Sequence, residues 1–191
     1  MSHVIYISIV GIDRAQSYPY YRVKLETERV IENSPVPHTI LRATQFHDFV
    51  LGMVRLLDRL PVMITPSWVS TLTQPIALDD IARYLAGVCG HAEARGESYD
   101  AGGPEVMTYR QMIERIAKLR GRRPLIVEVP VLTPRLSSLW LQLVTPVEAS
   151  VARPLVEGLR NPTVARDERI RALLPFELTS FDAAARQALR P

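Results

Sequence analysis

Glycine is scarce where a nucleotide-binding chain would need it. The chain of 191 residues has nine glycines, and none falls in a Gly-x-x-Gly-x-x-Gly turn. Such a turn lets backbone N–H groups and a helix N-terminus close on a pyrophosphate, so a phosphate cradle of that kind is excluded. Gly87-Val88-Cys89-Gly90 ends a helical pattern rather than opening one. Cysteine is scarcer still. Cys89 stands alone, so no internal disulfide forms and nothing points to an oxidising compartment. Lysine occurs only as Lys24 and Lys118, and the arginines are interspersed with acids to a net charge of +3. That balance gives no broad basic surface for nucleic acid. No stretch approaches the roughly 18 uninterrupted apolar residues of a membrane span. Met1 to Ser8 has no basic start and only a short β-branched run, unlike a secretion signal. The expectation is a cytoplasmic protein with neither membrane nor nucleic-acid partners.

What is present is ordinary for a globular protein: 47% hydrophobic and 23% charged residues. The length suits one domain with a core of useful size. Residues 3–10 are a nearly continuous β-branched run, the pattern of a strand buried on both faces in a parallel sheet. Residues 19–33 show helical spacing, with Val23, Val30 and Ile31 as the apolar positions, and Pro35 and Pro37 stop them. Residues 38–43 read as a second strand, and 45–60 as a second helix. Strand, helix, strand, helix implies right-handed crossovers and a parallel sheet.

The later pattern is looser. Ala77 to Ala82 opens a helix with Asp79 and Asp80 in its first turn. Glu97 to Ala101 reads as a strand ended by Gly102-Gly103-Pro104. Thr108 reads as the N-cap of a helix carrying Met112, Ile113, Ile116 and Leu119. Leu125 to Val129 is a further strand, and 134–160 and 167–190 look mostly helical. Lys118 to Arg123 forms the one basic cluster; it reads as a helix end with Gly121 as cap rather than as a phosphate site.

Tyr20-Tyr21-Arg22-Val23-Lys24 carries the sharpest chemistry. On a helix, Tyr20 and Lys24 share a face. A phenol is a poor acid near neutrality, but an adjacent ammonium favours its phenolate. It can then exchange a proton with a carbonyl or alcohol oxygen while hydride moves at carbon. Tyr-x-x-x-Lys is a weak motif by itself. Ser8, at the end of the preceding strand, strengthens it, because ligands of open α/β sheets bind where strands end. Tyr21 is an alternative phenol if the helix phase differs. His38, His47 and Asp48 lack an evident third ligand, so no metal is expected. Asp79-Asp80 reads as an acid pair or as helix N-terminal charge. Trp68 and Trp140 are pocket or core residues. Leu136, Leu139, Trp140 and Leu143 form a stripe that is core or lid.

Several blocks resemble the NmrA-like group of atypical short-chain dehydrogenases/reductases. They are Ile7-Ser8-Ile9-Val10-Gly11, Tyr20 to Lys24 with Glu28, Thr39 to Phe46, Gln74 to Ala82, and Tyr99 to Pro104. The resemblance covers about residues 3–120. It implies an α/β fold: a partial Rossmann-type parallel sheet, later strands only, with a mainly helical C-terminal substrate-binding portion. Residues 1–65 would be the C-terminal part of a Rossmann-like dinucleotide-binding domain. Residues 66–191 would be a mixed α/β to helical substrate-side region packed against it as one unit. The implied cofactor is NAD(P), and the implied partner a small-molecule substrate. By this resemblance Ser8 holds the substrate oxygen, Tyr20 is the general acid/base, and Lys24 binds the nicotinamide ribose. Ala43, Thr44, Gln45 and Phe46 lie near the nicotinamide, although the family often has proline where this chain has Ala43.

The missing glycine turn departs from the family. It implies an N-terminally incomplete dinucleotide fold that binds NAD(P) weakly or not at all on its own, with impaired oxidoreductase activity. The alternative is a non-catalytic dinucleotide sensor or a protein-interaction module; a third reading is a remnant without function. The first strand would expose a sheet edge through which the chain self-associates.

Overall fold

A computed structural model describes residues 3–14, 16, 19–47, 62–123, 125–129 and 158–188. The expected helix over 45–60 falls outside these beyond its first residues. So do most of the helical stretch 134–160, the stripe Leu136, Leu139, Trp140 and Leu143, and Asp48.

Three parallel strands form the central sheet: β1 (Val4–Ile9), β2 (His38–Ala43) and β5 (Glu97–Ala101), in the order β1-β2-β5. Ser8 is level with Arg42, and Arg42 with Asp100. Helix α1 (Pro19–Glu32) joins β1 to β2. Helix α2 (Leu78–Gly90) precedes β5, with Asp79 and Asp80 in its first turn as expected. This is a Rossmann-like α/β arrangement. Its third strand comes from the later half of the chain and ties that half into the first sheet.

The two faces of the sheet differ. Leu41, Ala43, Tyr99 and Ala101 pack with Ile81, Tyr84 and Val88 of α2 in one core. Leu41 and Ile40 are fully buried, and each such side chain contributes about 1.5–3 kcal/mol relative to exposure. The opposite face meets α1 through a largely polar helix surface. Buried on α1 are Tyr21 and Glu28, while Val23 and Val30 are 67% and 71% exposed. Two of the three apolar positions read from the sequence, Val23 and Val30, therefore point outward, while Ile31 is half-buried. The cause is an ion pair: Glu28, 1% exposed, accepts from Nε and Nη2 of Arg42 at 3.1 and 2.7 Å. A fork of this kind fixes both groups, and it selects the polar face of α1 for the sheet.

β1 departs from expectation too. Its residues are half-buried apart from Ser8, because no described strand pairs with its other edge. β2, between two strands, is the one with the buried pattern.

A second core surrounds α3 (Tyr109–Leu119). Met112, Ile113 and Ile116 pack with Trp68, Leu159 and Phe181. Trp68 is thus a core residue, edge-on to Tyr109 at 5.5 Å between ring centroids. Thr108 caps α3 in a reciprocal box with Gln111. At the other end Gly121 takes φ +68°, a left-handed conformation that suits glycine at a helix terminus.

The short strands β3 (Val62–Pro66) and β7 (Leu125–Val129) pair in parallel. β4 (Leu72–Thr73) and β6 (Met107–Thr108) pair antiparallel. The stretch 167–190 is less helical than expected. α4 (Arg169–Leu173) and α5 (Phe181–Ala188) are separated by an irregular segment. Pro175 cannot supply the N–H a continuous helix needs there. Buried Asp80 holds that segment, accepting from the N–H and Oγ1 of Thr179 at 2.7 and 3.2 Å. Asp80 therefore acts as an anchor and does not form an acid pair with exposed Asp79. Among the described residues no helix is long and apolar enough to cross a membrane.

Candidate functional site

The ends of β1 and β2 open onto a cavity of about 230 Å³. Ser8, Tyr20 and Lys24 line it, and so do Ala43, Thr44, Gln45 and Phe46. Every residue singled out from the sequence as catalytic or cofactor-binding is therefore on one wall system. Three separate segments bring them there: the end of β1, the first turns of α1, and the loop after β2.

Each segment is positioned by identifiable contacts. Ser8 ends up inside because β1 alternates: Ile5 and Ile7 pack toward the α2 core, so Tyr6 and Ser8 face α1. Ser8 is 2% exposed, and among the described residues its Oγ has no hydrogen-bond partner. A buried hydroxyl without a partner is costly. It is unusual enough to point to a ligand oxygen.

Lys24 is half-buried. Its Nζ donates to the Ile7 carbonyl at 3.2 Å and to Tyr6 Oη at 3.4 Å, and it lies 5.0 Å from the centre of the Tyr6 ring. An ammonium has three N–H donors, so one is left over after these two. Tyr20 is 38% exposed at the mouth. Its ring meets that of Tyr21 edge-on at 5.7 Å. Tyr21 is directed inward instead, with its hydroxyl packed against Gly158. Any side chain at 158 would collide with that hydroxyl, which accounts for the glycine there.

The loop Ala43 to Phe46 is held from behind. The Thr44 N–H donates to the Ala101 carbonyl at 3.1 Å, and Thr44 Oγ1 donates to the Gln74 carbonyl at 2.5 Å. Ile76 N–H donates to the Gln45 carbonyl at 2.9 Å. Gly103 lies so close to the Pro75 carbonyl that only a residue without Cβ fits. These bonds leave the Gln45 and Phe46 side chains free to border the cavity.

Residues not anticipated from the sequence complete the enclosure: Ile9, Tyr109, Gly158, Leu159 and Thr163. Tyr109 opens α3 and is fully buried. Burial pushes its phenol well above the ordinary range, the neighbouring Thr73 and Thr163 hydroxyls partly opposing the rise. No local periodicity marks Thr163. A tertiary bridge to Thr73 brings it in, with the two hydroxyls 2.8 Å apart.

Elsewhere, His47 is buried against Phe181 at 5.4 Å between ring centres. Among the described residues no cluster of three or more His, Cys, Asp or Glu could hold a metal. Two larger hollows flank α3, at Glu105, Gln111 and Lys118 and at Glu114, Arg122 and Arg123, of about 380 and 460 Å³. The first is edged by Arg115, which is committed to Glu105 at 2.5 Å and Asp182 at 2.9 Å. That pairing holds the Glu105 carboxyl below its usual range. The hollow is a structural ion-pair cluster rather than a reactive site.

No protein-family model and no curated protein sequence matches the chain. Solved structures do. An NADPH-dependent quinone oxidoreductase from Escherichia coli is similar with a TM-score of 0.83 at 16% identity, over 100% of this chain and 68% of that one. The Citrobacter sp. triphenylmethane reductase complexed with NADP(H) gives 0.79 at 18% identity, over 99% and 66%. A nucleoside-diphosphate-sugar epimerase from Staphylococcus aureus gives 0.79 at 14%, over 97% and 64%. These likenesses establish the Rossmann-like fold. The chain spans about two thirds of the length of the structures it matches.

Proposed function

We propose that the cleft is the acid/base end of an NAD(P)-dependent reductase or dehydrogenase site of the short-chain, NmrA-like type. One observation carries this reading. Ser8, Tyr20 and Lys24 border the same small cavity at the ends of parallel strands, and the buried Ser8 Oγ lacks a partner among the described residues. Such crevices are where ligands bind in this architecture.

The residues present fit a nicotinamide nucleotide in part. Lys24, with a spare N–H, would hold a ribose hydroxyl, and Ala43 to Phe46 would border the nicotinamide. When bound, the cofactor supplies hydride. Ser8 donates to the substrate oxygen and orients it. Tyr20 gives that oxygen a proton in reduction, or removes one in oxidation. On this reading residues 1–65 are the nucleotide side and residues 66–191 the substrate side, the latter supplying Tyr109, Leu159 and Thr163.

Pyrophosphate is another matter. The sequence in hand has no Gly-x-x-Gly-x-x-Gly turn, so this chain by itself grips NAD(P) weakly and turns over slowly. The second reading is a non-catalytic dinucleotide sensor or interaction module, and of these the interaction module is the one that needs no pyrophosphate cradle. Carbonyl-dependent NADPH oxidation separates the two. The wild type should show slow turnover that Tyr20→Phe reduces by at least about a hundredfold, the usual weight of a general acid. Turnover retained by Tyr20→Phe would remove the role given to Tyr20.

A further inference from the structure

Two walls of the cleft come from distant parts of the chain. The loop Ala43 to Phe46 forms one, and Gly158, Leu159 and Thr163 contribute to the other. The segment Leu72 to Ile76 is bonded to both. Thr163 pairs with Thr73 in a parallel bridge. The Thr163 N–H donates to the Leu72 carbonyl at 3.1 Å, and the Gln74 N–H donates to the Thr163 carbonyl at 3.0 Å. A parallel ladder would continue with the Ala165 N–H donating to the Gln74 carbonyl. That carbonyl is already taken. It accepts from Thr44 Oγ1 at 2.5 Å and from the Gly103 N–H at 3.2 Å. The Ala165 N–H goes instead to the side chain of the same residue, donating to Gln74 Oε1 at 3.0 Å.

The Gln74 amide is fixed for this task. The residue is 4% exposed. Its Nε2 donates to the Gly103 carbonyl at 2.8 Å, which directs Oε1 toward Ala165. Arg171 Nη2 donates to the same Gly103 carbonyl at 2.7 Å. Gly102 leaves room for the amide, since a Cβ there would come within 2.7 Å of Gln74 Cδ. A buried amide with its polar atoms all bonded is a rigid connector. The main chain of Gln74 grips the loop assigned to the nicotinamide. Its side chain grips the segment that follows the substrate-side wall.

We propose that Gln74 is a positioning residue, whose side-chain amide sets the gap between the two walls by holding the segment Thr163 to Ala165 against the loop Ala43 to Phe46. This rests on the reading of the cleft as a nicotinamide and substrate site. Gln74 is not itself among the residues that line the cavity, so it acts through the wall it holds. A change confined to its side chain leaves the main-chain grip on the loop in place. Binding of a carbonyl ligand should therefore suffer while binding of the nucleotide does not.

Two titrations of the full chain test this: acetophenone by ligand-observed NMR, and NADPH by nicotinamide fluorescence. Gln74→Met keeps the length of the side chain and removes both of its hydrogen bonds. It should weaken acetophenone binding at least about fivefold and leave NADPH affinity within about twofold. Gln74→Glu keeps an acceptor for the Ala165 N–H and gains Arg171 as a partner in place of the Gly103 carbonyl. It should bring acetophenone affinity back to within about twofold of wild type. Gly102→Ala leaves Gln74 in place but pushes its amide aside, and it should act as Gln74→Met does. Thermal melts report which variants are folded. Equal loss of both ligands in the folded variants, acetophenone binding unchanged in them, or no recovery in Gln74→Glu overturns the positioning role and leaves the cleft a binding site. A wild type that binds no acetophenone at millimolar concentration overturns the substrate-site reading and the proposal with it.

Discussion

At the scale of single residues, Ser8 departs from what stability would select. A buried hydroxyl with no partner among the described residues costs about 1–3 kcal/mol, so Ser8→Ala should leave the fold as stable or raise its stability by about 1 kcal/mol. If Ser8 orients the substrate oxygen, the same change should lower reductase turnover. Thermal melts and NADPH oxidation measured side by side check this. A variant that is destabilised and equally active would mean that Ser8 is structural. Tyr20 and Tyr21 show how adjacent identical residues take different tasks. One ring lies at the mouth and the other is buried against Gly158. The i, i+4 spacing of Tyr20 and Lys24 was readable directly from the sequence. The inward direction of Tyr21 was not, because it depends on a glycine 137 positions away.

At the scale of elements, α1 matters most, since it carries Tyr20, Tyr21 and Lys24. Its seat on the sheet depends on Glu28 and Arg42. Removing the cation leaves a carboxylate in a nearly closed site, so Arg42→Met should cost about 3 kcal/mol of stability. Chemical denaturation of wild type and variant measures it. A loss below about 0.5 kcal/mol, the range of ordinary surface changes, would show that α1 is held by other means. This pair also explains a limit of sequence reading. Helical periodicity placed α1 within a residue at its C-terminal end, yet its apolar positions Val23 and Val30 named the outer face. Periodicity locates a helix well, but a buried ion pair can turn it. Elsewhere local signals sufficed: β2 and β5 ran as expected, and the Thr108 cap formed with its Gln111 partner. Within 167–190 the apolar spacing suggests helix throughout, but Pro175 breaks it.

At the scale of the whole molecule, the parallel sheet and the three elements around the cleft were legible from strand and helix alternation. The later residues of the cleft were not. Tyr109, Gly158 and Thr163 come together only through tertiary contacts, such as the bridge between Thr73 and Thr163. Among the described residues no strand covers one edge of β1, and that has a measurable consequence. Val4 to Ile9 carries no charge or proline to discourage pairing, so the chain should associate with increasing concentration. Light scattering over a concentration series reports this. A monodisperse monomer at every concentration would show that the edge is protected.

The central claim is that Ser8, Tyr20 and Lys24 border the place where a nicotinamide nucleotide meets its substrate. Titration of NADPH with the chain, followed by nicotinamide fluorescence, tests that claim most directly. Weak saturable binding is expected, in the range of hundreds of micromolar to millimolar for a site without a pyrophosphate cradle. Lys24→Ala should weaken it at least about fivefold through loss of a charge-assisted hydrogen bond. No fluorescence change up to millimolar NADPH, or binding indifferent to Lys24→Ala, would contradict the claim.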